Sequence, residues 1–192
     1  MKTNLPFPLN QDYPDGAALA ARFPSMFNKP NIGFGFYRGW QPILAGVCVA
    51  VDGLLTAELG ADPDVFAWTQ IKEKFGSARL YFRLTRPDRV PSRIILLDSS
   101  QERGHPHPDW EALSAAVDRL VDAAEIATIS ACMACGAPAR ASDPREGWIT
   151  TLCPEHRART ADNQNPRDVH AFWDWVHLPG VDDNLGQAGG AP

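Results

Sequence analysis

"ISACMACGAPAR", residues 129–140, places Cys132 and Cys135 three apart at the end of a helix-like stretch. Such a pair is a redox couple, half of a metal site or a coincidence, and its partners decide which. Further along comes "TLCPEH", giving the spacing Cys132-x2-Cys135-x17-Cys153-x2-His156. Zinc takes four tetrahedral ligands, and two short chelating segments brought together by a turn supply them with little chain entropy lost per ligand. Gly136 allows the tight backbone turn that a knuckle needs, and Pro138 and Pro154 stiffen the flanks. The β-branched and aromatic run Trp148 to Leu152 would deliver Cys153 from a strand.

Other readings of the motif fit less well. A thioredoxin-type couple expects a strand before the cysteines and a helix after them, whereas here a helix precedes them and a turn follows. A zinc deaminase needs His-x-Glu and Pro-Cys-x-x-Cys, and neither occurs. Three thiolates and one imidazole leave no position for an activated water, so the expected cofactor is a structural Zn2+ held by Cys132, Cys135, Cys153 and His156. His105, His107 and His170 are alternative fourth ligands, although "HPHP" at 105–108 reads more simply as a rigid exposed loop.

The remaining composition is that of a globular chain: 192 residues, 44% hydrophobic, 21% charged, net charge −5. Four cysteines are too sparse for a disulfide scaffold, and three of them cluster within residues 132–153. The N-terminus lacks an apolar run of signal-peptide length, and the apolar stretch 43–55 is short and interrupted by Asp52. A cytoplasmic location away from membranes is expected.

Hydrophobic periodicity then assigns the elements. Asp15-Gly16 opens a short helix over 17–23 that Pro24 ends. The aromatic, glycine-rich stretch 28–39 reads as a loop or irregular strand. Pro42 sits at a first-turn position, and Leu44, Val47, Cys48, Val51, Leu54, Leu55 and Leu59 recur at helical spacing, predicting a core helix over 42–59. Cys48, on its apolar stripe, is expected as a buried small hydrophobe.

Residues 64–84 predict a β-hairpin turning at 74–76, with Ala78, Leu80, Phe82 and Leu84 alternating against Ser77, Arg79, Tyr81 and Arg83. "RIILLD", 93–98, is a further strand candidate. Residues 109–130 predict a second long helix whose Asp118, Asp122 and Glu125 form a solvated face. Beyond the metal motif, Asn165-Pro166 caps an expected helix with an apolar stripe of Val169, Phe172, Trp173 and Val176.

The sum is an α+β fold: a small antiparallel sheet packed with two long helices, plus a zinc-knuckle or ribbon-like C-terminal module. The expected divisions are a core at 1–130, a zinc-binding module at 131–160, a C-terminal helix at 161–179 and a flexible tail at 180–192.

Charge is unevenly placed. Residues 72–93 hold seven basic side chains against two acidic, and residues 98–128 hold two basic against seven acidic. Within the basic block, Arg79, Tyr81 and Arg83 share one strand face, with Lys72 and Lys74 near the turn. This surface suits an acidic protein partner, or alternatively phosphates and a stacked base. The motifs of P-loop, dinucleotide-binding, nucleophile-elbow and zinc-protease enzymes are lacking.

Taken together, "QIKEKFGSARLYF", "CMACGAP" and "GWITTLCPEH" resemble a group of small uncharacterised proteins carried by bacteriophages, prophages and bacteria. The shared features are a Gly-Trp before a helix, a Lys-Glu-Lys-Phe-Gly hairpin with an Arg-rich aromatic strand, and a C-terminal zinc-type motif. The likeness runs from about Gly39 to His156 and departs in "RIILLD", "HPHP" and the extension after His156. The resemblance implies no activity, only a context in which accessory proteins of the immunity or anti-defence kind bind a host or competitor component. The expected function is therefore a non-enzymatic binding protein with a structural zinc, and the alternative is a nucleic-acid-binding accessory factor that uses the 72–93 face.

Overall fold

The computed structural model describes residues 5–13, 15–28, 33–60, 65–86, 109–142, 149–162 and 173–175. A short helix α1 (Gly16–Arg22) is capped by Asp15, whose Oδ1 accepts from the Ala18 N–H at 2.8 Å. Strand β1 (Gly33–Tyr37) leads through a single 3-10 turn, Arg38–Trp40, into helix α2 (Gln41–Leu59), which Pro42 opens and Gly60 ends at φ 73°. A hairpin follows, β2 (Phe66–Lys74) and β3 (Ser77–Leu84), and then helix α3 (Trp110–Thr128), capped by Asp109. The C-terminal part comprises β4 (Arg140–Ala141), β5 (Thr151–Leu152), α4 (Pro154–Asp162) and β6 (Trp173–Trp175).

The fold is α+β, as the periodicity predicts, but the sheet is mixed rather than antiparallel. Its order is β3-β2-β1-β6, with β1 parallel to β2 and antiparallel to β6. The cause is α2: a helix between two neighbouring strands returns the chain to its starting end, so β2 runs alongside β1 in the same direction. The stretch expected as a loop or irregular strand is thus an internal strand.

The C-terminal helix expected within 161–179 is corrected at residues 173–175, whereas 163–172 and 176–179 lie outside the described residues. Residues up to Asp162 finish α4, and Trp173–Trp175 form a strand that pairs Gly35 with Trp175 and Tyr37 with Trp173. An isolated short helix is marginal, whereas the open edge of β1 offers backbone hydrogen bonds that aromatic residues take up well. The strand candidate 93–98, the 105–108 loop and the tail after residue 179 lie outside the described residues.

The core is aromatic. Trp40, Trp68, Tyr37 and Phe36 are almost completely buried beside Leu44, Val47, Cys48 and Val51 of α2 and Val117 of α3. Trp40 meets Phe36 and Tyr37 edge-on at 5.6 and 5.5 Å, the arrangement that ring quadrupoles favour. Cys48 lies in this core as expected, with burial pushing its thiol up to about 12. The stretch Arg38–Leu59 is long and apolar enough, by length and composition, to cross a membrane. Here its Ile43, Leu44, Val47, Cys48 and Val51 are buried, as in a core helix.

Helix α3 runs against the sheet's edge strand and satisfies it. Thr128 Oγ1 accepts from the Ala78 N–H at 2.8 Å while donating to the Glu125 carbonyl at 2.6 Å, and Glu125 Oε1 accepts from the Leu80 N–H at 2.6 Å. Glu125 therefore belongs to the packing of β3 and not to the solvated face expected of it, whereas Asp118 and Asp122 are exposed. An edge strand left with bare N–H groups is a template for aggregation, and these two side chains satisfy two of them, Ala78 and Leu80.

The hairpin turn has two central residues at positive φ, Phe75 at 55° and Gly76 at 77°. That twist matches the right-handed coil of the strands. Gly76 adopts it freely, but a phenylalanine there costs on the order of 1 kcal/mol.

Replacing Thr128 by Val keeps the volume and strands the buried Ala78 N–H. We expect a loss of about 1–3 kcal/mol in urea unfolding, against less than about 0.5 kcal/mol for Asp122→Ala.

Candidate metal centre

The end of α3 runs directly into a knuckle. Ala131 bridges to Pro138, the Cys132 N–H donates to the Ala137 carbonyl at 2.8 Å, and the Gly136 N–H donates back to the Cys132 carbonyl at 2.8 Å. Gly136 stands at φ 74°, the left-handed value the turn requires. The chain then forms the β4–β5 ladder, pairing Arg140 with Leu152 and Ala141 with Thr151. Cys153 follows β5 directly, and His156 lies in the first turn of α4, which starts at Pro154. The module is thus a knuckle, a two-stranded hairpin and a helix whose start supplies the last two ligands.

The four donors converge. The sulfurs of Cys132, Cys135 and Cys153 and a ring nitrogen of His156 all lie within 4.8 Å of one another. Cys135 Sγ is 3.9 Å from Cys153 Sγ, far beyond a disulfide bond, and all four cysteines of the chain are free. His156 Nδ1 is 3.1 Å from Cys153 Sγ and 3.8 Å from Cys132 Sγ. A tetrahedral ion with bonds of ~2.3 Å to sulfur and ~2.0 Å to nitrogen sets S···S at ~3.8 Å and S···N at ~3.5 Å. The observed separations, from 3.1 Å to no more than 4.8 Å, bracket those values, so the donor set could hold a four-coordinate metal ion.

Electrostatics around the site favour thiolates at one end. Burial opposes ionisation of Cys153, but the His156 backbone N–H and imidazole and the two neighbouring thiols outweigh it and bring the group down to about 7. Its place at the start of α4 is where helix N–H groups favour an anion. Desolvation raises the Cys135 thiol to about 11, against a hydrogen bond from the Ala137 N–H.

The knuckle docks on the core through backbone. The Gly39 N–H donates to the Met133 carbonyl at 2.8 Å, and a Cβ on Gly39 would lie 2.1 Å from the Cys132 oxygen and 2.6 Å from the Cys135 and Gly136 nitrogens. A Cβ on Gly136 would in turn come within 2.6 Å of the Gly39 oxygen. Beside them the buried Trp40 Nε1 donates to the Ala131 carbonyl at 2.8 Å. A second tie joins the module to the hairpin turn: Thr151 Oγ1 donates to the Gly76 carbonyl at 2.6 Å. Sequence reasoning did not assign these roles to Gly39, Trp40 and Thr151; the only signal was the Gly-Trp ahead of a helix.

The expected partner-binding residues are brought together only in part. The register places Lys72 opposite Arg79 and Gln70 opposite Tyr81, with the Lys72 ammonium 5.2 Å from the Tyr81 ring centroid. Lys74 lies at the turn and Arg83 further along the exposed strand. Arg79 is committed internally, donating to Ser77 Oγ at 2.8 Å and to the Ala78 carbonyl at 2.7 Å. His105, His107 and His170 lie outside the described residues, and His156 occupies the fourth ligand position.

Comparison with protein-family models, with characterised proteins and with solved structures found no match, so the site is interpreted from its own chemistry.

Two outcomes follow from this geometry. Gly39→Ala drives a methyl group into backbone that cannot step aside, and should cost at least about 2 kcal/mol in denaturant unfolding and weaken metal binding with it. Metal affinity should rise with pH, because the ion displaces the proton that Cys135 holds up to about 11; below about 7 it displaces one from Cys153 as well. Competition titration with a chromogenic chelator should give a slope of log affinity against pH of at least about 1 between pH 7 and 8, steepening on the acid side.

Proposed function

We propose that the Cys132, Cys135, Cys153 and His156 cluster binds one zinc ion as a structural element, and that the chain works as a non-enzymatic binding protein of the immunity or anti-defence kind. One observation supports the metal assignment: four soft or borderline donors lie within 4.8 Å of one another, enough to fill a tetrahedral shell with protein ligands. Zinc suits three thiolates and an imidazole better than calcium or magnesium, which take oxygen ligands. A closed shell has no open position for substrate or water, which supports a role in holding the fold.

What the ion would hold supports the same reading. The knuckle sits against Gly39 and Trp40 in the core and, through Thr151, against the hairpin turn. A metal there keeps a surface hairpin fixed relative to the core, and a pre-organised surface loses less entropy when a partner binds.

Elemental analysis should find one zinc per chain. Stripping it with a chelator, or replacing Cys135 by Ser, should lower Tm by at least ~10 °C, since a structural site contributes folding free energy outright. A chain that carries no transition metal, or melts identically without it, contradicts the proposal. The binding role is tested by light scattering on the zinc-loaded chain mixed with acidic toxin or defence proteins, where a 1:1 complex with one of them is expected and separate species throughout would count against it.

A further inference from the structure

The hairpin tip combines two features that stability alone disfavours. Phe75 holds a left-handed backbone conformation that suits Asn or Gly, and its ring is 68% exposed. The tip is nevertheless firmly held. The Gly76 N–H donates to Glu73 Oε1 at 2.8 Å, Ser77 Oγ donates to the Lys74 carbonyl, and Thr151 of the metal module takes the Gly76 carbonyl. A Cβ on Gly76 would lie 2.9 Å from Thr151 Oγ1 and 3.0 Å from Ile149, so the turn is seated directly on that module. A strained, exposed and rigidly supported aromatic side chain is what an interface anchor requires.

The charge around the ring indicates the partner. The Lys74 ammonium lies 5.2 Å from the Phe75 ring centroid, and Lys72 lies over Tyr81, itself 47% exposed. Among the described residues no carboxylate pairs with Lys72, Lys74 or Arg83. Glu73, between the two lysines, alternates to the opposite face and holds the turn. The surface is therefore an aromatic anchor within a cationic rim, on a chain whose net charge is −5. That overall charge opposes general binding to polyanions, and Tyr81 stands five residues beyond Gly76, roughly 16 Å at strand spacing. Such separated rings, each with a lysine on one face, make a poor continuous stacking platform for single-stranded nucleic acid.

We propose that the Phe75 tip, with Lys72, Lys74, Tyr81 and Arg83, is a docking surface for a protein whose binding face is acidic and holds an apolar cleft for the Phe75 ring. This deepens the binding-protein reading and rests on it. The rim supplies steering and orientation, and the ring supplies most of the buried apolar contact.

The test uses the zinc-loaded full chain and three labelled probes: an amphipathic Glu–Leu peptide, its Lys–Leu counterpart and an oligo-dT of equal length. Anisotropy titration should show saturable, salt-sensitive binding of the Glu–Leu peptide alone, with the Phe75 and Gly76 amide resonances shifting. Phe75→Asn should weaken that binding at least about tenfold while raising Tm, because asparagine relieves the backbone strain. Lys72→Glu with Lys74→Glu should weaken it by a similar factor. Unchanged binding by Phe75→Asn, a fall in its Tm, no binding of the acidic probe, or tighter binding of oligo-dT each overturns the proposal. A zinc-loaded chain that forms its partner complex equally well with Phe75→Asn removes the tip assignment and leaves the binding reading standing.

Discussion

Two peptide backbones meet in this protein with no side chain between them, and the placement of everything else depends on that contact. Gly39, at the turn between β1 and α2, lies against the knuckle that carries Cys132 and Cys135, close enough that a single methyl group would overlap the Cys132 carbonyl. The contact joins the start of the core helix to the Cys132–Cys135 knuckle more than ninety residues later. Trp40 extends it, burying its ring among Phe36, Tyr37 and the α2 residues while its indole N–H satisfies the Ala131 carbonyl. One residue thus serves the hydrophobic core and the metal module together, so the two are parts of one packing arrangement.

From that junction the rest of the architecture follows by satisfying backbone. The βαβ crossover through α2 makes β1 an internal strand, and β6 closes its far side. At the opposite edge β3 has no second strand neighbour among the described residues, and α3 supplies Thr128 and Glu125 as acceptors for two of its N–H groups. The same helix then runs into the knuckle, so the element that closes the sheet edge also sets the direction of the first two ligands. The hairpin turn, tied to Thr151, is the third point at which the metal module touches the sheet domain.

Much of this was legible in the residues. The α2 and α3 periodicities, the β2–β3 hairpin with its glycine turn, the buried Cys48 and the grouping of Cys132, Cys135, Cys153 and His156 are all local patterns, and the structure contains each. What stayed hidden depends on contacts between distant segments. The residues around Gly33–Tyr37 read equally as a loop or an irregular strand, because their glycines and aromatics gain regular structure only from β2 and β6 on either side. Trp173–Trp175 carries a helical apolar stripe in sequence, yet an open strand edge overrides a propensity that weak. Glu125 looks like one more solvated carboxylate until the Leu80 N–H is seen to need an acceptor. Gly39 is a single glycine in a glycine-rich stretch, and its meaning resides in a knuckle far along the chain.

The central claim is that a four-coordinate metal ion, ligated wholly by protein, fixes the module that Gly39 and Trp40 receive. X-ray absorption at the zinc edge of the purified chain tests it most directly. The account predicts three sulfur scatterers at ~2.3 Å and one nitrogen at ~2.0 Å, with no oxygen in the shell. A spectrum showing a water oxygen, fewer than three sulfurs, or no bound zinc would contradict it.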